Sequence, residues 1–160
     1  MLLNAHEVTE LLQTNGKGKK AQVGYDLTLK SVNEVNGGVV TKDATTVTPY
    51  TEVPKFINDG GKFMYNLQPG TYSITFEQGC KLEDTHTAMI RHRSSILRSG
   101  GIITSGVYDP GFEVDEMGAM LILTKPMVIE VGARVAQIIV FQNNPADLYN
   151  GQWMGEKDLK

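Results

Sequence analysis

Apolar residues recur along this chain at two different periods. In Asn4-Ala5-His6-Glu7-Val8-Thr9-Glu10-Leu11-Leu12, the residues Val8, Leu11 and Leu12 share one helical face. Asn4 stands where an N-cap belongs and Glu7 follows three residues on, as in a capping box. The pattern predicts a short N-terminal helix that ends near Asn15-Gly16. Beyond it the helical period disappears. Val23, Tyr25, Leu27 and Leu29 alternate with other residues, as do Phe63, Tyr65 and Leu67, and then Tyr72, Ile74 and Phe76. That is the period of half-buried strands. Residues 120–123, 127–129 and 135–141 are denser in apolar side chains and predict core strands, and a second short helix is expected within residues 87–97.

Turn-forming clusters punctuate these runs: Gly37-Gly38, Asn58-Asp59-Gly60-Gly61, Pro69-Gly70, Gly100-Gly101, Asp109-Pro110-Gly111 and Asn143-Asn144-Pro145. Many short strands with frequent turns mean an all-β sandwich, jelly roll or barrel. Residues 1–142 are expected to form one domain that includes the helix. Residues 143–160 are polar yet contain Tyr149 and Trp153, and read either as a frayed tail or as an arm that closes over a ligand by stacking.

Composition narrows the possibilities. At 160 residues, with 41% hydrophobic and 21% charged content, the chain can bury a core without staples. A formal charge of -3 argues against wrapping nucleic acid, so a bound phosphate would belong to a small ligand. Lys17, Lys19 and Lys20, interleaved with Gly16 and Gly18, read as a solvated, mobile loop. Cys80 is the single cysteine, which excludes a disulfide framework and a cysteine zinc site. With no signal-like start and no long apolar run, a cytoplasmic location is expected, with no membrane partner. His6, His86 and His92 lack metal-site spacing and read as surface or locally satisfied residues. The seven methionines read as core fillers and Glu77 as solvated.

Four segments carry candidate chemistry. Arg93-Ser94-Ser95 with Arg98 offers two guanidinium forks and two hydroxyls within six positions, the residue types that hold a polyphosphate. Taken alone it also suits a solvent-facing turn. Gly106-Val107-Tyr108-Asp109-Pro110-Gly111-Phe112 sets a carboxylate at a tight turn, where Gly111 can adopt positive φ. Turn capping by Asp109 and a core role for Phe112 explain it as well. Gln137, inside the apolar strand Arg134-Val135-Ala136-Gln137-Ile138, needs partners for its amide, from neighbouring backbone or from a ligand. Asp26, in Gly24-Tyr25-Asp26-Leu27, is either surface-facing or site-lining.

In this order the segments resemble the superfamily of dUTP diphosphatases and dCTP deaminases. Gly24-Tyr25-Asp26-Leu27 is similar to its first motif, Arg93-Ser94-Ser95 to the second, Gly106 through Phe112 to the third and Ala133-Arg134-Val135-Ala136-Gln137 to the fourth. The Met1-Leu2-Leu3-Asn4 helix start, Leu67-Gln68-Pro69-Gly70 and the extended Arg93-to-Arg98 segment look most like the deaminase branch. Residues 30–62 match poorly. The resemblance implies a distorted jelly-roll or β-clip fold with a short N-terminal helix, assembled as a homotrimer with active sites between subunits. It further implies that Arg93, Ser94, Ser95, Arg98 and Gln137 hold a deoxyribonucleoside triphosphate, together with Mg2+ bound mostly by the phosphates. Asp109 would contact the deoxyribose and orient a water, and Phe112 would pack under the sugar and disfavour a 2'-hydroxyl.

The branch is read from one residue. The deaminases carry a Glu on the strand after the Asp-Pro-Gly turn as acid/base for attack at cytosine C4. Here that strand is Gly118-Ala119-Met120-Leu121-Ile122-Leu123-Thr124, and Glu113, Asp115 and Glu116 fall in an extra segment expected to be a hairpin tip. Arg134-Val135-Ala136-Gln137 also looks like the dUTP diphosphatase form. Hydrolysis of dUTP is therefore expected. A dCTP deaminase, a bifunctional enzyme and a non-catalytic nucleotide-binding protein are the alternatives. Tyr149-Asn150-Gly151-Gln152-Trp153 is closer to the deaminase tail and offers Tyr149, Gln152 or Trp153 as a lid.

Overall fold

A computed structural model of the chain describes residues 1–144 and 148–155. The remaining parts of the expected arm, and Pro145 of the expected turn, lie outside the described residues.

Helix α1 (Ala5–Glu10) starts where its cap predicts. The Asn4 side chain accepts from the His6 and Glu7 backbone N–H groups at 3.0 Å each and donates back to the Glu7 carboxylate. The helix ends earlier than expected, because Leu12 and Gln13 are drawn out as strand β1 (Leu12–Gln13) to pair with β10 (Gly79–Lys81). The residues before Asn4 are not helical. Leu3 N–H donates to the Val140 carbonyl and Gln142 N–H to that of Met1, both at 2.8 Å, so the chain start is sewn onto the C-terminal strand.

The body is a closed sheet. Strands β3 (Tyr25–Glu34), β9 (Gly70–Phe76), β11 (His86–His92), β12 (Gly101–Thr104), β14 (Gly118–Leu123) and β16 (Arg134–Gln142) are hydrogen-bonded in the order β16-β11-β12-β14-β9-β3. β16 also pairs with β3, which closes the ring into a jelly-roll-like barrel and protects its edges. Closure requires close approach at Gly24, where a Cβ would lie 2.2 Å from the Ile138 carbonyl oxygen. Leu27, Ile74, Phe76, Ile90, Ile103, Leu121 and Ile138 fill the interior. Burying each such side chain contributes about 1.5–3 kcal/mol.

The second helix is shorter than expected. Residues 86–92 pair along their whole length with β16, from His86 opposite Gln142 to His92 opposite Ala136. Ala88 and Ile90 are buried at strand period, so only α2 (Ser94–Arg98) remains helical, anchored by buried Ile96. The acidic segment is no hairpin tip either: β13 (Glu113–Val114) joins β10, with Cys80 opposite Val114, and Met117 is fully buried behind it. The lysine segment is exposed, as expected, but part of it is extended as a strand. Strand β2 (Lys19–Lys20) pairs with β3, and Lys17 forms an ion pair with Glu77, whose side chain is only 13% exposed rather than solvated. Met117 and Met127 are core residues, whereas Met1, Met120 and Met154 are exposed, so core filling accounts for only some of the methionines.

Smaller elements lie outside the barrel. Strands β4 (Gly38–Val40) and β5 (Thr45–Val47) form a separate hairpin, β6 (Thr51–Glu52) adds to β3, and β7 (Phe56–Ile57), β8 (Phe63–Leu67) and β15 (Met127–Glu130) make a small sheet. No helix among the described residues is long and apolar enough to cross a membrane.

Candidate functional site

The strongest polar cluster sits where β3, β11 and β16 meet. Leu27 of β3 points to the core, so its neighbour Asp26 takes the opposite face. It is nonetheless 5% exposed, because two arginines cover it. Arg134 Nη1 donates to the carboxylate oxygen Oδ2 at 3.1 Å, and Arg93 Nε forms an ion pair with the same oxygen at 3.1 Å. Arg93 Nη1 also donates to the Arg134 carbonyl at 3.3 Å. Asp26 is thus neither surface-facing nor free. One buried carboxylate holding two guanidiniums leaves a net positive charge, and both arginine side chains stay about one-third exposed, at 32% and 39%. Such a pair of held forks suits phosphate oxygens.

The neighbouring residues follow from the backbone. Arg93 N–H bonds to the Val135 carbonyl at 3.0 Å and the residue caps α2, which sets Ser94, Ser95 and Arg98 on exposed positions just beyond the cluster. Gln137 is half-buried in β16, opposite Arg91 on one side and Asp26 on the other. Arg93, Ser94, Ser95, Arg98 and Gln137 therefore belong to one region. The sequence reading gave Arg134 no role. Its signal was a charged residue at the head of an apolar strand, in a chain with a carboxylate inside another strand.

A second group forms around the Asp109 turn. Tyr108 bridges to Ala88, and its hydroxyl donates to the Gly118 carbonyl at 2.8 Å. Burial raises the Tyr108 pKa well above the usual phenol value, with the Gly118 hydrogen bond acting in the opposite sense. Pro110 is buried, Gly111 has φ +84° as a turn of this kind needs, and Asp109 is exposed. Phe112 is 8% exposed, packed between Tyr108 at 4.8 Å and Tyr149 at 5.2 Å, the latter edge-on at 82°. Tyr149 N–H donates to the Pro110 carbonyl at 2.8 Å, and its hydroxyl accepts from Trp153 N–H at 2.9 Å. Gln152 Nε2 reaches the Thr45 carbonyl at 3.5 Å. The described part of the arm is folded onto the body rather than frayed.

The two groups are apart within one chain. Tyr108 lies opposite Ala88, and Gly111 N–H bonds to the Glu83 carbonyl, so the turn runs away from Arg93. Arg93 is five residues past Ala88, roughly 16 Å at strand rise. The arginine cluster and the Asp109 turn therefore lie toward opposite ends of β11.

Other candidates are accounted for locally. Glu116 forms an ion pair with Lys30, Glu113 is exposed on β13, and β14 carries no carboxylate. His6 Nδ1 lies 3.4 Å from Lys20 Nζ, and His92 Nδ1 accepts from Ile103 N–H at 3.3 Å. His86 is the exception, neither at the surface nor locally satisfied: it is buried and its Nδ1 has no hydrogen-bond partner, the Glu83 carboxylate lying 4.0 Å away. Among the described residues, no three His, Cys, Asp or Glu side chains are grouped as a metal site. Cys80 is buried, which pushes its thiol up to about 12, with the Glu113 charge adding to the effect.

Comparison with known proteins agrees with this fold. A family model described as dCTP deaminase-like matches residues 2–143. A probable deoxyuridine 5'-triphosphate nucleotidohydrolase of Halobacterium salinarum is 27% identical over 136 residues, covering 84% of this chain and 82% of its own. The 2'-deoxycytidine 5'-triphosphate deaminase from Agrobacterium tumefaciens shares the fold with a TM-score of 0.65 at 14% identity. The match covers 87% of this chain and 47% of the deaminase, so this chain spans about half that length. The native EIAV dUTPase shares it with a TM-score of 0.52 at 16% identity, over 98% of this chain and 99% of its own.

Proposed function

The chain belongs to the dCTP deaminase-like family, and within that family we propose that it hydrolyses dUTP to dUMP and pyrophosphate by attack of water at the α-phosphate. The observation that carries this choice over deamination is strand β14. From Gly118 to Leu123 it presents only small and apolar side chains, so no acid/base stands there to move protons at a cytosine C4. The relative from Halobacterium salinarum, matched over most of both chains, bears the name of a dUTP nucleotidohydrolase.

In this reading Arg93, Ser94, Ser95, Arg98 and Gln137 hold the triphosphate, and Arg134 joins them through the carboxylate it shares with Arg93. Guanidiniums held in place before substrate arrives stabilise charge developing on the α-phosphate and the departing pyrophosphate without reorganising. The Asp109 carboxylate accepts a hydrogen bond from water and directs its oxygen at phosphorus. Phe112, wedged between Tyr108 and Tyr149, borders the sugar. Tyr149 and Gln152 belong to an arm that closes the site.

Mg2+ is part of the proposal, bound mostly by substrate phosphates. The side chains here are guanidinium, hydroxyl and amide groups, and Asp26 is already engaged by two arginines, so the donor set fits the phosphates of a metal–nucleotide complex rather than a bare ion. When bound, the ion offsets phosphate charge. The placement of the Asp109 turn and Arg93 toward opposite ends of β11 within one chain supports a homotrimer whose active sites combine residues of different subunits. The proposed compartment is the cytoplasm, in keeping with a lone, buried Cys80 thiol.

The test is to incubate purified protein and magnesium with dUTP, dCTP and dTTP separately while following pyrophosphate and ammonia. Pyrophosphate from dUTP without ammonia from dCTP is expected. Ammonia from dCTP would make the chain a deaminase, and tight dUTP binding without pyrophosphate would make it a nucleotide-binding protein.

A further inference from the structure

Strand register carries a row of polar side chains across the outer face of the barrel. Directly opposed residues of an antiparallel pair project to the same face. Lys19 lies opposite Asp26, Asp26 opposite Gln137 and Gln137 opposite Arg91, so the row crosses β2, β3, β16 and β11. Lys19 is held there by its neighbours. Gly18, at φ +81°, lets β2 close on β3 where a Cβ would lie 2.4 Å from the Asp26 carbonyl oxygen, and the Tyr25 hydroxyl donates to the Lys17 carbonyl at 2.6 Å. Lys19 and Arg91 are exposed, and among the described residues neither has an ion-pair partner. Arg91 stands two residues before Arg93, whose backbone is still extended, and the two share a face roughly 7 Å apart.

Lys19, Arg91, Arg93 and Arg134 thus crowd around one carboxylate, that of Asp26. In a chain whose carboxylates outnumber its lysines and arginines, 18 to 15, such crowding of like charge costs stability unless an anion occupies the face. Gln137 lies between Asp26 and Arg91, so a phosphate that reaches its amide is one strand spacing, about 4.8 Å, from the Arg91 backbone. We propose that Arg91 and Lys19, both outside the four motifs, bind the terminal phosphate groups of the nucleotide and are specificity-determining residues for a triphosphate over a monophosphate. The proposal rests on the nucleotide reading above and adds to it the residues that read the length of the phosphate chain.

Calorimetric titration with a non-hydrolysable dUTP analogue, pyrophosphate and dUMP, each with magnesium, separates the phosphate groups. Arg91→Ala should weaken binding of the analogue and of pyrophosphate by about tenfold, the scale of one lost charge-assisted hydrogen bond, and raise KM for dUTP to match. Lys19→Ala should act in the same direction, and Arg91→Lys should recover part of the loss. Affinity for dUMP, which lacks the terminal groups, should keep its wild-type value in all three. Lys20→Ala removes the same charge from the other face of β2, where Lys20 Nζ lies 3.4 Å from His6 Nδ1, and should leave KM unchanged. A wild-type KM in Arg91→Ala, or a dUMP affinity that falls as far as that of the analogue, would overturn the phosphate assignment alone. Wild-type protein that neither binds nor hydrolyses dUTP would overturn the nucleotide reading and this proposal with it.

Discussion

Asp26 and Arg134 meet across β3 and β16 at 3.1 Å, and Arg93 reaches the same carboxylate oxygen from the end of β11 at the same distance. The contact spans 108 residues of sequence and lies on the seam that closes the barrel. One carboxylate therefore links the closure of the fold to the placement of two cations.

Replacing Asp26 tests both roles. Asp26→Asn keeps the shape and removes the charge that holds the guanidiniums. Because the arginines are partly exposed, the stability loss should be about 1–3 kcal/mol, readable by urea denaturation. With both forks released, KM for dUTP should rise about tenfold, since positioning is what the carboxylate supplies. Wild-type KM in a folded Asp26→Asn protein would remove Asp26 from any positioning role.

Asp109 is exposed and distant from the arginine cluster of its own chain, so its loss should leave nucleotide affinity intact. Asp109→Asn should lower kcat by about 100-fold or more, the scale of a lost positioned acid/base group. Calorimetric titration with a non-hydrolysable dUTP analogue should give an unchanged affinity. Unchanged turnover would take the water-directing role from Asp109.

Subunit mixing tests whether the site is shared. Arg93→Ala and Asp109→Asn chains should each be nearly inactive alone. Refolded together, they should recover a measurable part of wild-type activity, because some sites then draw an intact Arg93 and an intact Asp109 from different chains. Light scattering of the wild-type protein should give the mass of a trimer. A fully active monomer would contradict the shared site.

Cys80 supplies a pH prediction. Burial raises its folded-state pKa from 9.0 to about 12, so the folded protein keeps the thiol neutral where the unfolded chain begins to ionise. The corresponding stability is fully present below pH ~9 and is lost as pH rises toward the folded value. Tyr108, raised in the same direction by burial, adds to the effect. Unfolding free energy should therefore fall across the alkaline range. The native thiol should stay unreactive toward a thiol-specific reagent at pH 8 and react on denaturation.

What could be read beforehand was local. The Asn4 cap, the alternation of Tyr72, Ile74 and Phe76 and the positive φ of Gly111 each depend on a few adjacent residues, and each is present. Residues 87–92 were harder, because Thr, Ala, Met, Ile and Arg suit helix or strand, and the full-length pairing with β16 decided the outcome. The partners of Asp26 and Glu77 are remote in sequence, so neither the arginine pair on buried Asp26 nor the Lys17 contact left a local mark. The motif order correctly indicated the family. The row that sets Lys19 and Arg91 beside the arginine cluster depends on strand register alone.

Hydrolysis of dUTP in water enriched in heavy oxygen tests the proposed reaction most directly. Attack at the α-phosphate should place the label in the phosphate of dUMP and none in pyrophosphate, with the uracil ring intact. Label in pyrophosphate, or no turnover of dUTP at all, would contradict it.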